Sequence, residues 1–411
     1  MVNDSDSRCL VFIVMRVLEV SRYKEEYKDN TLPFVKEQGE SLRAAGCKVE
    51  YFLVRGNYIA AVKALKTKIR DFQPDIIHAH YGLSAITAEL QSLVPVVTTF
   101  HNGETHHWYV NLLTSLMSLR AKHVIYVAPH IREKVYFKAE NYSIIPCGVT
   151  LEDCFLMDKS EAHCQLGWSP DKKYIMFGGA FSNERKNYPL LRSAVEIICN
   201  QKNTEKNTEL SADTNSIQTV TAPQSACEQA PRQTDDPFRS TDIVAQSQFD
   251  NSVQKTQKIF SSEYSWIPVE GGEQLGDIVC VEMRGLSRAE CVLRMNACDV
   301  FALPTKNEGS PQALKEAMAC NCPIVATDVA DIKHLLGDLP GHYILPNKKG
   351  TPADWVGDEH SADELAELLK QAFAFNARTK GRERIIELGY TNEQVAQKII
   401  KIYENILKTD Y

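Results

Sequence analysis

The stretch DIIHAHYGLSAITAELQSLVPVVTTFH, residues 75–101, decides the fold class of this chain. It opens with an apolar run (75–81), continues with an amphipathic segment (83–93) and closes with a β-branched run (95–101). Short apolar runs on either side of an amphipathic segment predict two parallel strands joined by a helix that covers the sheet.

The same alternation extends through most of the chain and predicts an α/β protein with parallel strands buried on both faces. The other predicted strands are CLVFIVM (9–15), KVEYFLV (48–54), HVIYVA (123–128), KYIMFGG (173–179), DIVCVEMRG (277–285), DVFALPT (299–305) and PIVATD (323–328). They form two series, which predict two doubly wound Rossmann-like domains in tandem. We place the first domain at 1–165 and the second at 166–391, with a final helix (about 392–411) that packs back on the first.

A polar segment interrupts the second series. Residues 201–260 contain only ten Leu, Ile, Val or Phe and are rich in Gln, Asn, Thr and Ser. Such a stretch buries too little apolar area to offset its conformational entropy. We therefore predict a largely disordered insert between a helix and a strand of the second domain.

Composition predicts an ordinary globular protein of 411 residues, 44% apolar, with a formal charge of −7. Residues 1–150 carry 18 Lys and Arg against 15 Asp and Glu, a mild basic excess that is compatible with an anionic partner or a membrane surface. We expect no nucleic-acid partner. The twelve cysteines lack zinc-ligand spacing, which favours free thiols in a reducing compartment. The expected location is the cytoplasm, with peripheral contact at the inner face of the cell membrane left open.

The segment KNEGSPQALKEAMA (306–319) follows a predicted strand and contains two carboxylates eight positions apart. Ser310 is predicted to cap a helix with Pro311 in its first turn, where free backbone amides can bind a phosphate. Glu316 would then lie about 9 Å along the helix from Ser310, roughly the reach from a diphosphate to a sugar. The alternative is that Glu308 and Glu316 are ordinary solvent-facing acids.

A basic pair, Arg185 and Lys186, lies in the loop AFSNERKNY (180–188) after another predicted strand of this domain. Arginine offers a fork and lysine a compact charge to phosphate oxygens. The two side chains could equally be a solvated surface pair.

The ordered set of motifs resembles the retaining glycosyltransferases of family 4. The E-x7-E spacing from Glu308 to Glu316 lies between ACDVFALPT and AMACNCPIVATDVADI. Further similar segments are PDIIHAHYGLSA (74–85), VPVVTTFHNGE (94–104), YSIIPCGVTLEDCF (142–155) and RKNYPLLRSAVE (185–196). The resemblance implies a two-domain GT-B fold and a nucleotide-sugar substrate, with no metal or other cofactor.

The resemblance also implies roles for individual residues. Glu308 would contact hydroxyls of the donor sugar and Glu316 those of the ribose. His101 matches a first-domain histidine that lies near the donor sugar and acceptor in relatives. With Lys186, His101 and Glu308 form the expected catalytic set.

The donor's diphosphate would be neutralised by Arg185 and Lys186, and the amides of Gly309 and Ser310 would approach it. The chain departs from the family pattern in the loop after its first strand, which has no glycine before Gly39, and at Ala180, where an arginine is common. Asn187 stands where a glycine commonly follows the lysine.

The expected function is therefore transfer of a hexose from a UDP- or GDP-sugar to a saccharide or lipid-linked saccharide, with retention of configuration. Its expected setting is cell-surface polysaccharide or glycolipid assembly. Two other interpretations stay open. One is a GT-B epimerase or phosphorylase, and the other is a nucleotide-sugar-binding protein with impaired catalysis, which the departures and the polar insert favour.

Overall fold

The computed structural model describes residues 14–25, 27–214, 272–346 and 362–409, which form two six-stranded sheets. The first sheet contains β1 (Arg16–Arg22), β2 (Lys48–Val54), β3 (Ile76–His80), β4 (Val96–Phe100), β5 (His123–Tyr126) and β6 (Tyr142–Ile144). The second contains β7 (Lys173–Phe177), β8 (Gly272–Leu275), β9 (Ile278–Val281), β10 (Val300–Leu303), β11 (Ile324–Thr327) and β12 (His342–Leu345).

Helices cover both faces of each sheet. In the first half of the chain they are α1 (Pro33–Ala44), α2 (Ala61–Phe72), α3 (Gly82–Glu89), α4 (Trp108–Ser118), α5 (Pro129–Lys134), α6 (Lys159–Leu166) and α7 (Tyr188–Thr214). The others are α8 (Arg288–Ala297), α9 (Gln312–Ala319), α10 (Ile332–Leu336), α11 (Ala362–Phe375), α12 (Gly381–Glu387) and α13 (Asn392–Thr409). Within the described ranges, the helices lack a segment long and apolar enough to cross a membrane.

Strand order places a crevice in each sheet. The first sheet runs β2-β1-β3-β4-β5-β6, all parallel, and the second runs β12-β11-β10-β7-β9-β8, with β8 antiparallel to β9. The chain winds outward in opposite directions from β1 and from β7, so the strand order reverses between β1 and β3 and between β7 and β10. Ligands of such sheets bind at the carboxyl ends of the strands beside these reversals.

The C-terminal helix α13 packs on the first sheet, although it follows the second in sequence. Val395, Ile399 and Tyr403 join a buried cluster with Val17 of β1 and Leu42 of α1. Burial of this apolar face ties the end of the chain to the first domain.

The chain crosses between the sheets at two adjacent points. The Val149 amide donates to the Tyr390 carbonyl at 2.9 Å, and the Asn392 amide donates to the Val149 carbonyl at 3.0 Å. Gly148 lies so close that a Cβ there would come within 2.8 Å of the Asn392 Cα. The core of the second sheet begins at Val149, upstream of residue 165, where the sequence places the boundary.

The first strand lies later than predicted. The segment 9–13 is outside the described residues, and β1 is Arg16–Arg22, not 9–15. Its polar Glu19 and Ser21 are fully buried, so the strand lacks the uniform apolar signal that guided the prediction.

Part of the segment predicted to be disordered is helical. Helix α7 continues to Thr214, so residues 201–214 are helical, and the rest of the predicted disordered segment lies outside the described residues. The short strand β8, which pairs antiparallel with β9, was not predicted.

Candidate active site

The reversal between β7 and β10 brings together the lysine and one glutamate that the sequence singles out. Lys186 follows β7, Glu308 follows β10, and the Lys186 Nζ lies 2.6 Å from the Glu308 Oε1. The Thr305 hydroxyl donates to the same carboxylate oxygen at 3.1 Å. The two charged side chains are only 12% and 7% exposed, so this is a buried ion pair at the mouth of a sheet crevice.

The loop after β7 is shaped to place Lys186 in this crevice. A Cβ on Gly179 would lie 2.7 Å from the Lys186 Cγ, so the lysine stem passes where any other residue would carry a side chain. Asn187 adopts a left-handed conformation with φ of 62°, which asparagine tolerates better than most residues. The left-handed backbone at this position therefore suits asparagine as well as the glycine that the family resemblance implies.

Arg185 stands outside this pair. Its side chain is exposed, and its charge lowers the pKa of the half-buried His106, adding to the effect of burial. The Arg185 carbonyl accepts a hydrogen bond from the Lys306 amide at 2.8 Å, and it lies 3.1 Å from the Thr305 hydroxyl, for whose single hydrogen it competes with the Glu308 carboxylate. This residue therefore ties the loop after β7 to the loop after β10 through its backbone.

The predicted cap at Ser310 is wrong. Helix α9 begins at Gln312, and Pro311 occupies the N-cap position in an extended conformation without a side-chain cap. The Ser310 hydroxyl instead donates to the Asp331 carboxylate at 2.8 Å. Buried Asp331 draws the hydroxyl away from the helix.

Glu316 lies in α9 and pairs with an arginine that the sequence analysis missed. The Glu316 Oε1 lies 2.9 Å from the Arg288 Nη2, which also lies 2.5 Å from the Glu37 Oε1 on α1 of the first domain. Burial raises the pKa of Glu316 to about 7, against the opposing charge of Arg288. Burial also raises the pKa of Glu37, again opposed by Arg288.

A sequence signal for Arg288 does exist. It is the first residue of α8, where the helix dipole disfavours a cation, while Ser287 and Glu290 form a capping box. A cation at the N-terminal end of a helix indicates a partner outside that helix. Here the partners are Glu37 and Glu316, one from each domain.

The loop after β4 brings His101 against the loop of Glu308. The Asn102 amide donates to the Glu308 carbonyl at 3.2 Å and to the Asn307 Oδ1 at 3.1 Å. A Cβ on Gly309 would lie 3.0 Å from the His101 carbonyl oxygen. Asn102, which the sequence analysis did not single out, therefore joins the two domains at the candidate site.

His101 is held as a neutral imidazole. Burial, the neighbouring His80 and the charge of Lys315 together lower its pKa well below the ordinary value. Its backbone amide donates to the Glu104 carboxylate at 3.2 Å, and burial raises the pKa of that carboxyl to about 7. A second imidazole, His130, approaches the backbone of Glu308, and burial lowers its pKa to about 4.

One group of side chains in the described residues has metal-ligating atoms within 4.8 Å of one another: Glu19, His78 and His80. Its atoms are hydrogen-bonded within the protein, since the His80 Nε2 lies 2.6 Å from the Glu19 Oε2 and the His78 Nδ1 lies 2.5 Å from the Tyr403 hydroxyl. The His78 Nε2 contacts the Thr99 hydroxyl at 2.7 Å. These bonds account for the burial of the three side chains, and we assign no metal to them.

Comparison with known proteins gives a match in each domain. The model described as Glycosyltransferase Family 4 matches residues 34–153, and the one described as Glycosyl transferases group 1 matches residues 275–373. A protein of Bacillus subtilis (strain 168), TuaC, named for a teichuronic acid biosynthesis glycosyltransferase, is 24% identical over 338 residues, which are 76% of this chain and 70% of TuaC.

Solved structures share the arrangement of both domains. Sucrose-phosphate synthase from Thermosynechococcus elongatus superposes with a TM-score of 0.63 at 17% identity, covering 96% of this chain and 100% of that one. HepE of Anabaena, solved in complex with UDP, gives a TM-score of 0.57 at 14% identity, covering 95% of this chain and 100% of that one. Each domain has a doubly wound sheet whose strand order reverses once, and a glycosyltransferase model matches residues of each domain. The chain therefore belongs to the family 4 glycosyltransferases and has the GT-B fold.

Proposed function

We propose that this glycosyltransferase moves a hexose from a nucleotide diphosphate sugar to an acceptor hydroxyl with retention of configuration. The observation that carries the proposal is the buried Lys186–Glu308 pair at the strand reversal, facing the His101 loop. In one crevice, a cation can stabilise an anionic leaving group while the neighbouring carboxylate accepts hydrogen bonds from a neutral sugar.

In this proposal the donor's diphosphate takes over the charge of Lys186, and Arg185 supplies a second cation from the same loop. Glu308, released from the lysine, then accepts hydrogen bonds from hydroxyls of the sugar. Glu316 does the same for the ribose. The amides of Gly309 and Ser310 approach the diphosphate in this proposal.

The leaving diphosphate gains negative charge as the glycosidic bond breaks, so Lys186 stabilises the transition state more than the ground state. Each of the two motif carboxylates is next to a cation, Lys186 or Arg288, rather than poised as a free nucleophile. We therefore propose a front-face reaction, in which a departing phosphate oxygen takes the proton of the acceptor hydroxyl. No metal takes part in the proposed reaction.

We favour a UDP-sugar as donor because HepE, which shares the fold, was solved with UDP and with UDP-glucose. A GDP-sugar is the competing donor. The name of TuaC refers to teichuronic acid, which supports a saccharide or lipid-linked saccharide as acceptor and polysaccharide assembly at the cytoplasmic face as the setting.

A thermal-shift screen with UDP, GDP and ADP and their sugars tests the donor, because a ligand that binds the folded state raises Tm. We expect UDP and a UDP-sugar to raise the Tm of the wild type, and Lys186→Ala to reduce that shift in Tm. Lys172→Ala is the control, since Lys172 lies before β7 and bonds the Gln274 amide oxygen. Stabilisation by no nucleotide, or an inverted anomeric carbon in the NMR spectrum of the product, would overturn the proposal.

Contact with an anionic membrane surface is the second part of the proposal, and α4 supports it. The buried residues of this helix are polar, Asn111, Thr114, Ser115 and Ser118. Its exposed residues are apolar, Trp108, Tyr109, Leu112, Leu113, Leu116 and the following Leu119. The outward apolar face of α4 fits the interior of a bilayer. Arg120 and Lys122, at the end of the helix, fit its anionic headgroups.

Co-sedimentation with vesicles tests this contact. We expect binding to vesicles containing phosphatidylglycerol, weak binding to pure phosphatidylcholine, and loss of binding in the double variant Trp108→Ser, Leu116→Ser. Ile59→Ser, which removes an exposed apolar residue elsewhere on the first domain, is the matched control. Equal binding by the double variant and the wild type would rule out α4 as the contact.

A further inference from the structure

A chain of hydrogen-bonding side chains leads from the interior of the first domain to the candidate site. The Glu19 Oε2 lies 2.6 Å from the His80 Nε2, and the His80 Nδ1 lies 3.2 Å from the His101 Nε2. Glu19 and His80 are fully buried, whereas His101 is partly exposed. These hydrogen-bonded side chains cross the strand reversal of the first sheet, because Glu19 is on β1 and His80 ends β3.

The order of donors and acceptors along this chain follows from the carboxylate at its inner end. With the Glu19 carboxylate as acceptor, the hydrogen of this contact is assigned to the His80 Nε2. In a neutral imidazole the other nitrogen is then an acceptor, so the His80 Nδ1 accepts from the His101 Nε2. The unprotonated nitrogen of His101 is therefore Nδ1, which lies 3.8 Å from the Cys147 Sγ.

We propose that Glu19 and His80 are positioning residues that fix His101 as the Nε2–H tautomer and present its Nδ1 as a hydrogen-bond acceptor to the bound substrates. The inference rests on the proposed function for the role of His101, and on the contacts of Glu19, His80 and His101 for the tautomer. The acceptor nitrogen lies beside Cys147 of the loop after β6, and both His101 and Cys147 are partly exposed.

The neighbouring imidazole shows that the arrangement is selective. His78 stacks on His80 with ring centroids 4.5 Å apart and is equally buried. Its Nδ1 contacts the Tyr403 hydroxyl and the Gln38 amide nitrogen, and its Nε2 contacts the Thr99 hydroxyl, so neither nitrogen contacts His101. Loss of the Tyr403 hydroxyl therefore perturbs the same buried region without breaking the chain to His101.

Histidine-selective ¹⁵N NMR of the full-length protein tests the proposal, with His101 assigned by comparison with His101→Gln. We expect the wild type to show His101 protonated at Nε2. Glu19→Gln should shift that signal toward the other tautomer and lower kcat by about tenfold, the loss expected when one hydrogen bond to the bound substrates is misdirected. His80→Leu should act alike, which keeps the test decisive where one variant fails to fold.

Tyr403→Phe is the matched control and should leave the His101 signal and kcat as in the wild type. A wild-type His101 protonated at Nδ1, or a Glu19→Gln variant with unchanged tautomer and kcat, would overturn the proposal. The NMR result does not need a donor or an acceptor. A protein that transfers no sugar would therefore refute the proposed function while the spectrum still decides the role of Glu19.

Discussion

The Lys186–Glu308 pair allows a sharp test, because both side chains are nearly buried and 2.6 Å apart. In Lys186→Met, Glu308 keeps the Thr305 hydroxyl but loses its cation. Leaving one charge of a buried pair uncompensated costs about 3 kcal/mol or more. In a domain of this size 1 kcal/mol corresponds to about 3 °C, so we expect Tm to fall by roughly 9 °C.

The double variant Lys186→Met, Glu308→Gln removes both charges, and we expect it to recover most of the stability lost in the single lysine variant. Urea unfolding of the four proteins gives the coupling free energy. The exposed Arg192–Glu196 pair is the control cycle, with an expected coupling of about 0.5 kcal/mol or less. Single effects at Lys186 and Glu308 that add to within about 0.5 kcal/mol would refute the reasoning.

The same variants separate the two proposed roles. UDP lacks the transferred hexose, so its binding reports on the diphosphate contact alone. Its affinity should fall about tenfold in Lys186→Met, because one charge-assisted contact is lost. Glu308→Gln should bind UDP no more weakly than the wild type, since the lysine is then free of its internal partner. Calorimetric titration with UDP measures both, and weaker UDP binding by Glu308→Gln would contradict the assignment of that glutamate to the sugar.

Three further variants probe the loops and a buried acid. Gly309→Ala places a Cβ 3.0 Å from the His101 carbonyl oxygen, and the loop shift should lower kcat about tenfold with little change in Tm. Asn102→Ala removes the amide that bonds the Glu308 carbonyl and should raise the Kd for UDP severalfold, measured by titration. Burial raises the pKa of Glu89 to about 8, so the folded state holds a proton that the unfolded state loses above about 4.5. Stability should therefore fall as pH rises from about 5 to 8, and Glu89→Gln should raise Tm at pH 9 but not at pH 5.

The doubly wound fold was predictable because its strands are buried on both faces and read as continuous apolar runs. The prediction failed at β1, where Glu19 and Ser21 are buried among apolar neighbours. Both polar residues lie on the strand beside the reversal, and Glu19 bonds to His80 of β3, a tertiary contact that local periodicity cannot contain. Helix α7 likewise extends past the point where its composition turns polar.

At the site, the structure brings together two of the residues that the sequence singled out, but the sequence did not predict their contacts. Lys186 and Glu308 come from loops far apart in sequence, and only the adjacency of β7 and β10 brings them together. The hydroxyl of Ser310 was assigned by a local capping rule, but the buried Asp331 from a later loop takes it. Asn102 was missed because its partners belong to the other domain.

In the described structure each glutamate of the motif is neutralised by a protein cation, and the two cations act differently. Lys186 belongs to the same domain as Glu308, so a diphosphate can displace that glutamate without moving the domains. Arg288 instead links Glu316 to Glu37 of the first domain. In the proposed function, a ribose that hydrogen-bonds Glu316 would compete with this interdomain bridge, and nucleotide binding would then be energetically coupled to the angle between the domains. Under that proposal the two glutamates act differently, since Glu308 exchanges partners inside one domain and Glu316 exchanges a partner that links both domains.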